Sequence, residues 1–327
     1  MTQLGSGLGF AITAHLLRAN AAKIITISSR RASAVDSINQ LASYGDTSRI
    51  TYECCNLKSL NQVDALARKI RSTEPRIDAL VLNAGIGIVK YSLSEDGIDS
   101  HFQVNILSQL HIALVLLPIL QSTARETRKP SRVVFMTSAT HAYAPSSTRF
   151  LSLAELNTDI GQQDLYYRSK LAQILIVREL VRRLDTGLIT LPINPFDPPV
   201  SGHPTPSHGG REVLINATHP GDYNRTPLTS NLTVAFGFLG YILLFILGPF
   251  MSDPMIAGCK TALFAATPNA DLLGKRIDGQ YIVPDKQVKD PSEMAQDAEM
   301  GKRLWELTME LLRDRLGEKF DYELRML

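Results

Sequence analysis

Cysteine is scarce in this chain: three residues among 327, with Cys54 and Cys55 adjacent and Cys259 alone. An odd count without metal-ligand spacing excludes a disulfide framework and a cysteine-bound metal. It points instead to buried thiols in a reducing, cytoplasmic compartment. Net charge is scarce too. A formal charge of +2 with no clustered basic face removes the electrostatic case for a nucleic-acid partner. No charged-then-apolar stretch opens the chain, so no secretory signal is expected. The three sequons at Asn216, Asn224 and Asn231 therefore read as chance matches. There is no internal repeat and no sign of a second domain, so residues 1–327 are read as one domain.

What the chain does contain is alternation. Strand-like apolar runs at Ile24–Ser28, Ile50–Cys54, Ala79–Leu82, Val133–Met136, Val213–Asn216 and Tyr281–Val283 are separated by helical periodicity near 9–20, 32–44, 60–73, 98–124, 166–185 and 254–266. This order predicts an α/β fold, a doubly wound parallel sheet covered on both faces. Ligands in such sheets bind beyond the carboxyl ends of the strands, where the winding reverses. Two stretches break the pattern. Residues 187–210 hold six prolines, which cannot sustain a helix or an inner strand and predict an irregular surface insertion. Residues 232–252 carry no charge at all. They are long enough to span a bilayer, yet Gly237, Gly240, Gly248 and Pro249 make a poor uninterrupted helix. The stretch is read as a lid seated on a membrane surface, ahead of a crossing or a buried core or homodimer helix.

The densest chemistry lies at Tyr166, Tyr167, Arg168, Ser169 and Lys170. Tyr166 and Lys170 are one helical turn apart and share a face. A cation there is expected to lower the phenol pKa from roughly 10 and make Tyr166 a proton donor to a developing alkoxide. An exposed helix pair is the bland alternative. Upstream, Gly5, Gly7, Leu8 and Gly9 lead straight into a helix. Asn83, Ala84 and Gly85 follow a buried strand, Asn105 lies in an apolar helix, and Thr137–Ser138 ends another strand. His219, Pro220 and Gly221 close a further one.

Taken in this order, these motifs resemble the short-chain dehydrogenase/reductase family. The nearest likeness is to its retinol-dehydrogenase-like branch and fungal light-inducible alcohol-dehydrogenase relatives, from the first residues to about Leu316. The resemblance implies a Rossmann-like fold, hydride transfer with a nicotinamide cofactor, and a lipophilic ketone or aldehyde as substrate. It implies that Ser138 holds the carbonyl oxygen and Tyr166 protonates it. Lys170 would lower the Tyr pKa and bind ribose, and Asn105 would bend its helix and hold a water linked to Lys170. Gly5, Gly7, Leu8 and Gly9 would approach the pyrophosphate, with Asn56, Asn83, Ala84, Gly85, Pro220 and Gly221 completing the cofactor pocket. Arg30 follows the second strand of the family's pattern where no acid is present, which favours NADP(H) over NAD(H). Departures are specific. Gln3 stands where the family has the first Gly of its turn, Asn56 replaces an Asp, and Thr226 lies one place late. The strand that precedes the Gly-rich turn in the family is missing, and a start codon placed too late is the expected cause. These departures motivate an alternative reading, a catalytically impaired, membrane-associated binding protein. A lyase or epimerase on an extended version of the fold is disfavoured, because those usually carry a longer carboxy-terminal domain.

Overall fold

The computed structural model describes residues 7–29, 31–190, 212–221, 254–268, 277–317, 320 and 325–326. Strand β4 (Ser131–Met136) shows why the apolar runs are continuous rather than alternating. Its Val133 and Phe135 enter one hydrophobic cluster and its Val134 and Met136 another, all buried. A strand buried on both faces has no polar side to show. Four strands run parallel in the order β3 (Ala79–Leu82), β4, β6 (Val213–Thr218) and β7 (Tyr281–Val283), and the short β8 (Gln287–Lys289) adds on antiparallel. A second parallel pair joins β1 (Ile24–Ser28) to β2 (Ile50–Cys54). Among the described residues no strand bridges β1 to β3.

One face of the main sheet is covered by α5 (Ser108–Thr127) and α7 (Gln162–Asp185). The other is covered by α1 (Leu8–Arg18) and α8 (Pro254–Ala266), through Ala11, Ile12, Cys259, Ala262 and Phe264. Helices α2 (Arg31–Leu41) and α3 (Leu60–Thr73) flank β1 and β2. The doubly wound Rossmann-like architecture predicted from alternation is therefore observed, and β7 lies beside β6 as expected.

Several expectations are corrected or completed. Helix α7 begins at Gln162 rather than 166, so the Tyr166 motif sits in its second turn. The amphipathic helix Ala298–Leu316, packed on α7, was not foreseen. Its Leu304, Leu311 and Leu312 are buried, and the Arg183 guanidinium lies 5.1 Å from the Trp305 ring centroid. Cys54 is exposed, whereas Cys55 and Cys259 are buried as expected. Asn216 is enclosed in β6, donating to the Ile277 carbonyl at 2.9 Å and accepting from the Gln280 amide at 3.0 Å, so that sequon is indeed a chance match. Among the described residues, the one helical stretch long and apolar enough to cross a membrane is Ser100–Thr127, and it is a buried core element. The uncharged stretch 232–252 lies outside the described residues. Of the proline-rich stretch, Ile189–Thr190 pairs antiparallel with Arg325–Met326, away from the main sheet, and 191–210 lies outside the described residues.

Candidate active site

Asp99 caps the short helix α4 (Ser100–Phe102), accepting from the Phe102 amide at 3.0 Å, and the chain then widens into a π turn over Gln103–Leu107 before α5 begins. Such one-turn widenings re-aim side chains and recur at functional sites. Here the turn points Asn105 at the segment after β3. Its Oδ1 accepts from the Ile86 amide at 2.9 Å, and its Nδ2 donates to the Ile86 carbonyl at 3.1 Å and to Ser169 Oγ at 2.9 Å. Ser169 in turn donates to the Tyr166 carbonyl at 2.7 Å. Gly85 permits this approach: a Cβ there would stand 2.9 Å from Asn105 Oδ1 and 4.0 Å from Lys170 Nζ.

Lys170 projects from α7 under the end of β4. Its Nζ donates to the Met136 carbonyl at 3.1 Å and to Gln173 Oε1 at 3.0 Å, and Thr137 Oγ1 donates back to the Lys170 carbonyl at 2.9 Å. Ser138 follows directly and caps a 3₁₀ turn (Ala139–Tyr143). Its Oγ accepts from the Thr140 amide at 3.2 Å and lies 2.9 Å from Thr140 Oγ1. With both acceptor positions engaged, the Ser138 hydrogen is left to donate elsewhere, and Tyr166 is its neighbour. The Ser138 carbonyl accepts from His141 Nδ1 at 2.8 Å, while His141 Nε2 accepts from the Ser292 amide at 3.0 Å. That pair of bonds requires the neutral Nδ1–H tautomer, and burial keeps His141 below its ordinary range.

The electrostatics overturn one expectation. Burial pushes the Tyr166 phenol above its usual range, partly offset by the Ser138 hydrogen bond; the neighbouring Tyr167 also raises it. Lys170 does not hold it down, because burial alone depresses Lys170 to about 7. An ammonium enclosed without a carboxylate partner loses charge before it can stabilise a phenolate. Its Nζ lies 5.5 Å from the Tyr166 ring centroid.

The residues expected to line a cofactor are placed as follows. Gly7 precedes α1 with φ 89°, in the left-handed region, and no heavy atom lies within 4 Å of where its Cβ would be. Leu8 is the first residue of α1, and Gly9 is buried one position on. A cleft of about 130 Å3 beyond the carboxyl ends of β1, β2 and β3 is lined by Ser28, Ser29, Asn56, Ala84 and Gly85. The Asn56 amide is already engaged, donating to Glu95 at 2.7 Å and accepting from the Lys58 amide at 3.0 Å. Asn83 is half-buried at the end of β3. Pro220 and Gly221 follow β6, with the Gly221 amide donating to His219 Nδ1 at 3.0 Å. Gly5 and Arg30 lie outside the described residues. The open Gly7 turn, the Gly85 cradle and the remaining Lys170 hydrogen fit a nucleotide cofactor laid along the strand ends.

Sequence reasoning missed Gln173, Gln109, Thr140 and His141. A signal for Gln173 was present: a polar residue one turn beyond Lys170, inside an otherwise apolar run.

Parallel strands with a glycine turn and a Ser, Tyr, Lys and Asn near their carboxyl ends make up the candidate site. Residues 1–148 match the family model for short chain dehydrogenase. The mitochondrial oxidoreductase bli-4 of Neurospora crassa is 29% identical over 316 residues, covering 96% of this chain and 71% of that one. Mouse retinol dehydrogenase 14 is 28% identical over 94% of this chain and 83% of its own length. A solved Mycobacterium paratuberculosis structure superposes with a TM-score of 0.66 at 22% identity, covering 95% of this chain and 91% of its own. Over residues 1–148 the chain is similar to the short-chain dehydrogenase/reductase family, and over nearly its whole length to bli-4 and to a retinol dehydrogenase.

Proposed function

We propose that the chain is an NADP(H)-dependent oxidoreductase that interconverts a lipophilic ketone or aldehyde and its alcohol. The observation that carries this reading is the pairing at Ser138, whose acceptor positions are taken up by Thr140 so that its hydrogen is left to donate beside Tyr166, where a substrate carbonyl oxygen would sit. Ser138 orients and polarises that oxygen, and the Tyr166 hydroxyl gives it a proton; donors already aimed at the developing charge need no reorganisation. The cofactor, when bound, supplies the hydride. Gly7, Gly85 and Lys170 would hold it, with Pro220 and Gly221 beside the nicotinamide. A phenol pushed above its usual range stays protonated at neutral pH, which suits reduction more than oxidation.

The preference for NADP(H) rests on Arg30 and on the absence of an acid after β1. The likeness to a retinol dehydrogenase supports a lipophilic substrate, as does the uncharged stretch 232–252, read as a lid on a membrane surface. The test is consumption of NADPH, followed by absorbance, with a panel of long-chain and cyclic ketones and aldehydes. Turnover with NADPH that Tyr166→Phe reduces by about 10²–10⁴-fold is expected. No turnover, together with intact NADPH binding, would establish the alternative of a catalytically impaired binding protein.

A further inference from the structure

We propose that Gln173 is a positioning residue for Lys170: its amide joins the ammonium to the Asn105 carbonyl and fixes the direction of the one Lys170 hydrogen left for the cleft. The inference rests on the catalytic reading above and adds to it a residue that the motif does not contain.

The argument starts from three groups of fixed polarity. The Ala84 and Asn105 carbonyls can only accept, and the Lys170 ammonium can only donate. Two buried glutamines stand between them, each 1% exposed. Gln109 Nε2 donates to the Ala84 carbonyl, which leaves its Oε1 as an acceptor. Gln173 Nε2 donates to that Oε1 at 3.1 Å and to the Asn105 carbonyl at 3.0 Å. Its own Oε1 is then turned toward Lys170, whose Nζ lies 3.0 Å away. Turning Gln173 over would set its oxygen against the Asn105 and Gln109 oxygens and its NH2 against the ammonium, and turning Gln109 over would set oxygen against the Ala84 carbonyl and NH2 against NH2, so the three ends permit one orientation of the pair.

This chain of bonds acts on Lys170 from the side away from the cleft. The Met136 carbonyl and Gln173 Oε1 take two ammonium hydrogens, and the third is free to point toward Tyr166 and the cofactor cleft. The groups facing Lys170 are Tyr166 on its own helix, Met136 from β4, Gly85 after β3, and Gln173, and burial is what depresses its pKa. With no carboxylate at hand, the Gln173 oxygen is the one side-chain acceptor that favours the charged form. An apolar residue of the same size would remove that acceptor and favour neutral lysine. It would also leave the Asn105 carbonyl and Gln109 Oε1 without this donor.

Gln173→Met tests the idea in two independent ways. In alcohol oxidation, kcat is expected to fall at least tenfold with the alcohol KM within twofold. The acid limb of the kcat profile should move by about one pH unit, because the charged form of Lys170, the titrating neighbour of Tyr166, loses its one side-chain acceptor. Loss of stability with an unchanged acid limb would reduce Gln173 to a packing residue. The second measurement needs no activity. Urea unfolding of a double-mutant cycle with Lys170→Met, at pH 6 and pH 9.5, should give an interaction of at least tenfold in unfolding constant at pH 6 and a smaller one at pH 9.5. Equal or absent coupling would overturn the proposal even if the enzyme reading stands. A wild-type protein without turnover would remove the enzyme reading while the coupling is still measured. Should Gln173→Met not fold, Gln173→Glu enters the same cycle. Its carboxylate must couple to Lys170 more strongly at pH 6 than at pH 9.5, and failure to do so would also overturn the proposal.

Discussion

Lys170→Met should flatten the dependence of stability on pH between 7 and 9. In the folded protein burial depresses Lys170 from 10.5 to about 7. The unfolded chain therefore binds a proton in that window that the folded chain does not, and stability rises with pH across it. Below pH 7 both states hold the proton and this contribution is level. Above about 10.5 neither holds it and the contribution is level again. The full depression corresponds to roughly 5 kcal/mol, and the part falling between pH 7 and 9 to roughly 2 kcal/mol, each an order of magnitude. The buried Cys55 thiol, pushed up to about 12, works in the opposite direction from about pH 9 upward. Comparison with the variant cancels it, because both proteins carry it. Urea titrations followed by the fluorescence of the single, buried Trp305 supply the measurement. Wild type should gain roughly 2 kcal/mol more than Lys170→Met between pH 7 and 9. Parallel curves for the two proteins would mean that Lys170 is not enclosed as described, and the account of Tyr166 would fall with it.

Arg30→Ala should weaken NADPH by roughly 1.5–3 kcal/mol more than NADH, the value of a charge-assisted hydrogen bond. Equal losses in calorimetric titrations would show that Arg30 does not face the 2′-phosphate. Gly85→Ala would set a methyl group 2.9 Å from Asn105 Oδ1. The fold should lose about 1–3 kcal/mol by overpacking, and cofactor affinity should drop, whereas wild-type stability would show that the loop shifts at no cost. Leu243→Glu with Phe245→Lys should move protein from membrane to soluble fractions and raise KM for lipophilic ketones more than for small ones. Unchanged fractionation would remove the lid reading.

The strands and most of the helices were legible because their signals are local. Ile24–Ser28, Ile50–Cys54 and Ala79–Leu82 form strands where apolar runs stand between turn residues, and Leu60–Thr73 matches its periodicity residue for residue. Helix Ala298–Leu316 escaped notice: its apolar stripe is interleaved with charge, and its partner α7 lies more than a hundred residues upstream. The site divides in the same way. Spacing placed Tyr166 and Lys170 on one face, and the family resemblance marked Ser138 and Asn105, because those side chains belong to motifs a few residues long. Which atoms donate to which was decided by tertiary structure. Gln173 meets Asn105 and Gln109 across 68 and 64 residues, and the enclosure that discharges Lys170 is assembled from β4, the Asn105 turn and α7 together. The expected lowering of the Tyr166 pKa failed for this reason. A sequence shows that a cation lies one turn away, but the charge that cation keeps depends on how much water the folded chain leaves around it.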